Sequence, residues 1–245
     1  MPFAATVAAL RPGSAQSVFA ELTPGATPGA RAGDTGSPAA GRGLLAAAAF
    51  VRDNSMGWVV QHGENTGDVA QAMAEQPEIA IIEKLVAPYL QEPDASGDPR
   101  RLAAAFRSRM MQRVQQRIVR EAPSASLAAL HYRVRDGYAD EIARVFTAVR
   151  PEARPVLRDD GGVQTGVLHG VAVFVGGGWM VRVVSFDGDL ADVAKYMAHR
   201  PGRPAIEREL APYLAEPRDT AEPEEFLRRF DTDLMPQAAR LALTG

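Results

Sequence analysis

The chain has 245 residues, 46% hydrophobic and 23% charged, which is enough apolar material for a substantial buried core. A formal net charge of −3 gives no electrostatic case for a nucleic-acid or anionic-membrane partner. The absence of cysteine excludes disulfides, thiolate catalysis and Cys-ligated metals, and no stretch approaches the ~20 apolar residues of a membrane span. The start, MPFAATVAAL, lacks a basic, apolar leader, so a cytoplasmic location is expected. Lys84 and Lys195 are the only lysines among 27 Lys and Arg residues, so a single arginine is weaker evidence of function than usual.

In chain order, a strand is expected over Phe3–Leu10 and a helix over Gly13–Leu22. A low-complexity loop at 23–41, with Pro24-Gly25, Pro28-Gly29 and Gly33, precedes strands at Leu44–Val51 and Met56–His62 and then helices. Residues 100–121 carry seven arginines and read as a long connecting helix, either a solvated linker or a docking surface for an acidic partner. A strand at His131–Arg135 is turned by Asp136-Gly137, and Tyr138, Ile142, Val145 and Phe146 then fall at helical spacing. Beyond a loop at 150–166, Val167–Val175 and Trp179–Phe186 form a hairpin across Gly176-Gly177-Gly178. Asp189 is placed to cap a helix near 190–199, which Pro201 ends. A helix over 204–211 and a last one over Glu224–Met235 follow, with Tyr213-Leu214 either a short strand or a packed turn.

The heptapeptide Ala-Pro-Tyr-Leu-x-Glu-Pro occurs at 87–93 and again at 211–217, and the same offset holds along most of the chain. Arg11 and Gly13 precede Arg135 and Gly137 by it, Phe50-Val51 matches Phe174-Val175, and Asp68-Val69-Ala70 matches Asp192-Val193-Ala194. Such self-similarity marks a duplicated domain. The expected division is a repeat at 1–111, a helical linker at 112–128 and a second repeat at 129–245. Each repeat runs strand–helix–strand–strand–helix, the ferredoxin-like order. A sheet with helices on one face leaves its other face bare. The expectation is therefore an α+β fold in which tandem ferredoxin-like repeats form an intramolecular version of a dimeric α+β barrel.

Candidate site residues come from strand periodicity. If 176–178 is a three-residue loop, one face carries Phe174 by Met180, Ala172 by Arg182 and Leu168 by Phe186. The matching face in the first repeat carries Phe50 by Met56, Ala48 by Trp58 and Leu44 by His62. The opposite face, with Val59, Val171, Val173 and Val183, is aliphatic and suited to packing on helices. The mixed face is expected to line an interior cavity, with Trp58, Phe50, Phe174, Met56, Met180, Phe186, Ala48 and Ala172 as binding residues. Arg182 lies within an apolar strand and needs an anion partner, either a ligand or an internal carboxylate, or strong hydrogen bonds. His62 at a strand end and His131 near Arg133 are candidate bases or structural groups, whereas His169 and His199 read as structural. Asp68/Asp192 and Glu83/Glu207 recur in both repeats, which favours a shared structural task. No metal-ligand spacing, phosphate loop or nucleophile elbow is present, and no cofactor or metal is expected.

At VRDGYADEIARVF (134–146), WMVRVVSFDGDLADVAKYM (179–197) and PAIERELAPYLAEPRD (204–219) the chain resembles the SchA/CurD-like family. Members are encoded beside aromatic polyketide synthases, including those for actinomycete spore pigments. The same stretches are more distantly similar to tetracenomycin-type polyketide cyclases. The resemblance implies an α+β barrel acting on a poly-β-ketone or an early multi-ring intermediate. Such cyclases often carry a histidine on the third strand, and the matching positions here, Trp58 and Arg182, depart from that pattern. Aldol-type ring closure needs a stabilised oxyanion and a base, roles open to Arg182 and to His62 or His131 respectively. Two other roles stay open: a cofactor-free anthrone-type monooxygenase, and a non-catalytic scaffold binding an acyl carrier protein or ketosynthase. Further association as a homodimer is also left open.

Overall fold

The computed structural model describes residues 2–22, 43–93, 97–147, 155–218 and 220–243. The expected loop at 23–41 and the first part of the 150–166 loop lie outside the described residues. The chain divides into two compact units, residues 1–111 with 236–245, and residues 112–235.

Unit 1 begins with β1 (Phe3–Ala9), α1 (Ala15–Leu22) and the hairpin β2 (Leu44–Arg52) and β3 (Ser55–His62). Helices α2 (Val69–Ala74), α3 (Pro77–Val86) and α4 (Pro99–Arg109) follow. Their starts are written locally. Asp68 caps α2 by accepting from the Gln71 amide, Asp98 accepts from the Arg100 amide, and Pro77 and Pro99 occupy the first turns of α3 and α4. Met56, Trp58 and Val60 of β3 join Ala47, Ala49 and Val51 of β2 on one face, and this row packs with Val18, Met73 and Ile79 of the helices into one core. Alanines along β2 let the helices sit close to the sheet.

Unit 2 repeats the plan. It contains β4 (Gln112–Ile118), β5 (Ser126–Arg133), α5 (Ala139–Thr147), β6 (Val156–Arg158), β7 (Gln164–Gly176) and β8 (Trp179–Asp187). Helices α6 (Leu190–Ala198), α7 (Arg203–Leu210) and α8 (Pro223–Asp233) and the short β9 (Leu234–Met235) complete it. The last strand of the chain, β10 (Gln237–Ala242), belongs to unit 1. The Tyr213-Leu214 alternative resolves into a 3-10 turn over Ala211–Tyr213 followed by a single bridge from Leu214 to Val134. Asp189 stands at the N-cap of α6, but its side chain makes no capping hydrogen bond.

Both sheets are antiparallel, in the orders β1-β3-β2-β10 and β4-β7-β8-β5-β9, with β6 on β7. The segment after each repeat supplies the outer strand of the other unit's sheet, β4 beside β7 and β10 beside β2. This corrects the expected helical linker at 112–128. The arginine-rich helix ends at Arg109, and Gln112–Ile118 is an edge strand. Its alternating QRVQQRI is a strand pattern whose charges suit a half-exposed edge. The duplicated α+β architecture with ferredoxin-like units is thus present. Among the described residues no helix is long and apolar enough to cross a membrane.

The hairpin register differs from the expected one by one residue on β2 and β7. Gly177 and Gly178 both have positive φ, 59° and 74°, and make a two-residue turn, so Gly176 pairs with Trp179. Val173 therefore lies opposite Arg182 and Val175 opposite Met180, while Phe174 and Ala172 pair with Val181 and Val183. The same holds for β2, where Ala49 meets Trp58 and Phe50 meets Gly57. A bulge further along each hairpin restores the expected Leu168–Phe186 and Leu44–His62 pairs.

Candidate functional site

The face carrying Met180, Arg182 and Val184 of β8 turns toward the helices of unit 2, as does the row Ala128, Leu130 and Tyr132 of β5. Between this face and α6 and α7 lie two adjoining recesses that share Gln115, Arg182, Met197 and Arg200. One continues past Arg117, Val171, Val184 and Tyr196, the other past Tyr132, Phe146, Met180 and Ile206. They contain about 530 and 510 Å³ of space free of protein atoms, counted out to their mouths. The centre of a water molecule fits in only about 40 and 20 Å³ of that space, so a ring system must displace side chains to enter. Tyr196 and Arg200 line the space and are half-exposed.

Arg182 is the singular group. Its side chain lines both recesses, and its Nε is inaccessible to solvent with no hydrogen-bond partner among the described residues. Burial depresses the basicity of its guanidinium, and nearby Arg200 acts in the same direction, whereas Tyr132, Glu207 and Tyr196 oppose them. Two neighbouring arginines have partners, though Arg218 Nε is also shielded without one among the described residues. Arg203 donates to the Ala198 and Ala221 carbonyls at 2.8 and 2.9 Å and to the Thr220 carbonyl, and its guanidinium lies over the Phe226 ring. Arg218 reaches Glu207 at 3.4 Å and Asp233 at 2.5 Å while lying 4.3 Å above the Tyr132 ring. Glu207 also accepts from Thr220 at 2.9 Å. Burial pushes the Tyr132 phenol up to about 12, against the pull of Arg218 and Arg182, so it stays neutral and can donate a hydrogen bond.

In unit 1 the position matching Arg182 is Trp58, buried to 2% exposure. Its indole Nε1 donates to Glu83 Oε1 at 2.7 Å, and Arg109 pairs with the other oxygen of Glu83 at 3.1 Å. The repeated Glu83/Glu207 thus anchors an arginine in both units. Met56 packs in the same core as Trp58, so both fill space between β3 and the helices of unit 1. Phe50 and Ala48 stand on the other face of β2, paired with Gly57 and Val59.

His131 does not converge with Arg182. It pairs with Val181, a residue of the opposite sheet face, and stacks on Trp179 at 4.3 Å, with Arg133 over the same ring at 4.4 Å. His62 belongs to unit 1, where its Nδ1 lies 2.9 Å from the Gly63 carbonyl, a contact that places the ring proton on Nδ1. Phe174 and Ala172 share the His131 face, whereas Met180 and Phe186 share that of Arg182. The physical reason is the two-residue glycine turn, which inverts β7 relative to β8. On β8 and β3 the face expected to be open packs on helices, while Val171 and Val173 of β7 pack on the helices as well. The residues that sequence reasoning missed are Gln115 and Arg117 on β4, and Tyr132, Tyr196 and Arg200. The alternation of QRVQQRI would have placed the first two, and the parity of β5 would have put Tyr132 beside Arg182. Among the described residues no group of three or more His, Asp or Glu side chains is placed to hold a metal ion.

The SchA/CurD-like domain model matches residues 1–119 and again 125–243, one match per repeat. A 42.8 kDa protein in the whiE locus of Streptomyces coelicolor is 35% identical over 109 residues, 44% of this chain and 26% of that one. The polyketide synthase CurD of Streptomyces cyaneus is 28% identical over 130 residues, 53% of this chain and 34% of its own. The matched region of this chain thus spans about a quarter to a third of those relatives. Among solved structures, an anthrone oxidase-like protein aligns with a TM-score of 0.39 at 12% identity, over 100% of this chain and 98% of the other. The two family matches cover nearly the whole sequence, and the chain belongs to the SchA/CurD-like family.

Proposed function

We propose that the chain acts in aromatic polyketide biosynthesis as a cyclase or cyclisation chaperone, receiving a poly-β-ketone or an early multi-ring intermediate in the recess of unit 2. The observation that carries this reading is Arg182, a guanidinium with a shielded, unpartnered Nε in a recess walled by Val171, Val184, Met180 and Phe146. The names of the two Streptomyces relatives, one a whiE-locus protein and one a polyketide synthase CurD, support the pathway.

Ring closure of aldol type begins when a methylene between two carbonyls loses a proton and the charge moves onto oxygen. A cation held in place where water is scarce stabilises that oxygen more than bulk solvent can, because its orientation costs nothing at the moment of reaction. Arg182 would accept the oxyanion, and the neutral Tyr132 phenol would donate to the carbonyl that is attacked. No histidine lines the recess, so the proton of the already acidic methylene passes to water at the mouth. The apolar walls choose which carbon meets which carbonyl by folding the chain, an effect of proximity alone. Hand-over of the intermediate from an acyl carrier protein or ketosynthase belongs to the same reading.

The test is a type II polyketide synthase expressed with and without this chain, and with Arg182→Gln, reading products by mass and oxygen uptake in parallel. The expected result is a ring pattern that changes with the native chain and reverts with a folded Arg182→Gln protein. Identical products from native and variant would remove Arg182 from the reaction. Oxygen uptake with an unchanged carbon skeleton would transfer the chain to the monooxygenase reading.

A further inference from the structure

The glutamate shared by the two repeats is used differently in each unit. In unit 1 both oxygens of Glu83 are taken, one by the Trp58 indole at 2.7 Å and the other by Arg109 at 3.1 Å. In unit 2 a single oxygen, Oε2 of Glu207, accepts from Thr220 at 2.9 Å and meets Arg218 at 3.4 Å. Its Oε1 accepts no hydrogen bond among the described residues. Glu207 lines the second recess together with Arg182, Tyr132 and Arg218, and its side chain is 12% exposed. Glu83 on α3 reaches position 58 of β3, so the matching Glu207 on α7 is set toward position 182 of β8. Burial depresses the basicity of Arg182 and Glu207 is near enough to oppose it, yet no ion pair joins the two among the described residues. A carboxylate with one oxygen anchored and the other open has its remaining lone pairs aimed and available.

We infer that Glu207 is the base of this site, its open Oε1 removing the methylene proton whose departure creates the oxyanion at Arg182. The inference rests on the cyclase reading and deepens it, since it names the proton acceptor and sets the acidic methylene of the ligand between β8 and α7. The C–H electron pair moves into a carbon–carbon double bond, and the carbonyl π pair moves onto oxygen, where Arg182 meets it. The enolate carbon then attacks the second carbonyl, and the resulting alkoxide takes a proton from water at the mouth. Glu207, now neutral, releases its own proton to the same water, so charge and protons balance and no co-reactant is consumed. Oε2 stays with Arg218 and Thr220 throughout, which keeps the carboxyl in one orientation.

Hydrogen exchange between 2-tetralone and deuterated water, followed by NMR in the presence of the whole chain, tests this without a synthase. The C1 methylene of that ketone lies between a carbonyl and an aromatic ring, and it exchanges slowly on its own. The native chain is expected to accelerate the exchange. Glu207→Gln keeps an acceptor for Thr220 but takes no proton, and it should lower that acceleration by about 100-fold, the usual scale for a positioned base. Glu207→Asp, with its carboxylate drawn back by one methylene, should fall between the two. In Glu207→Ala, added formate should restore part of the rate, a recovery that a purely structural role does not give. Glu83→Gln, the matching change in unit 1, should leave the exchange unaltered. No acceleration by the native chain, full acceleration in a folded Glu207→Gln protein, or loss without rescue by formate would overturn the inference. Product analysis separates its failure from failure of the parent reading. A ring pattern that follows Arg182 but not Glu207 removes only the base. Exchange that follows Glu207, with products indifferent to the chain, removes the cyclase.

Discussion

Positions 58 and 182 occupy the same place in the two repeats, and they have opposite fates. In unit 1 an indole fills the space between sheet and helices and is tied to α3 through Glu83. In unit 2 a guanidinium stands there, α7 presents Glu207 to Arg218 instead, and a recess remains. One backbone plan therefore serves as packed core in one copy and as candidate binding site in the other. The difference lies in side-chain volume and in which group claims the glutamate. Duplication supplies a scaffold, and a few substitutions on one strand decide whether that scaffold is solid.

The strongest way to break this contrast is to copy unit 1 into unit 2. Arg182→Trp should abolish binding of 2-tetralone, with an ordered fold, because the new indole finds Glu207 where Trp58 finds Glu83. Calorimetry alongside far-ultraviolet circular dichroism checks both halves of that statement. The converse, Trp58→Ala, removes a buried aromatic anchor and should cost about 3–5 kcal/mol of stability in urea titration, with the unit 2 site unaffected. A loss below ~1 kcal/mol would show that the indole is not a packing element. Glu83→Gln deprives Arg109 of its charge partner while leaving an acceptor for the indole, and should cost about 1–2 kcal/mol.

The sequence pattern made much of this legible. The offset between the Ala-Pro-Tyr-Leu motifs showed two copies, and periodicities of two and 3.6 placed β7, β8, α5 and α6 within a few residues of their observed bounds. The register did not follow, because three consecutive glycines permit either a two- or a three-residue turn and the choice inverts one strand. The exchanged strands were hidden for another reason. Gln112–Ile118 carries charge at an edge where burial is partial, so its alternation is of polar against less polar residues, and the preceding helix invites continuation. Arg182 stood out in an apolar strand, but its companions Arg117, Tyr132 and Arg200 are distant in sequence and meet only through topology.

The smallest expected effect concerns Asp68, whose counterpart Asp192 lies inside α6 and bonds Thr165 instead of capping a helix. The Arg107 side chain at 2.6 Å, with the Gln71 amide, holds the Asp68 carboxyl below its ordinary value of 3.8. A depressed folded-state value contributes stability above pH 3.8, and the contribution fades as pH falls through the folded value. The stability gap between the native chain and Asp68→Asn should therefore be steady near neutrality and close in acid. A gap independent of pH would assign the residue's role to capping alone. Both groups are about half-exposed, so the effect is modest and weakens with salt.

The most direct test is to locate 2-tetralone in crystals of the chain soaked with it. The account predicts density in the unit 2 recess, with a ligand oxygen within hydrogen-bond distance of the Arg182 guanidinium and the rings against Val171 and Met180. Ligand density elsewhere, with Arg182 left untouched at saturating concentration, would contradict it.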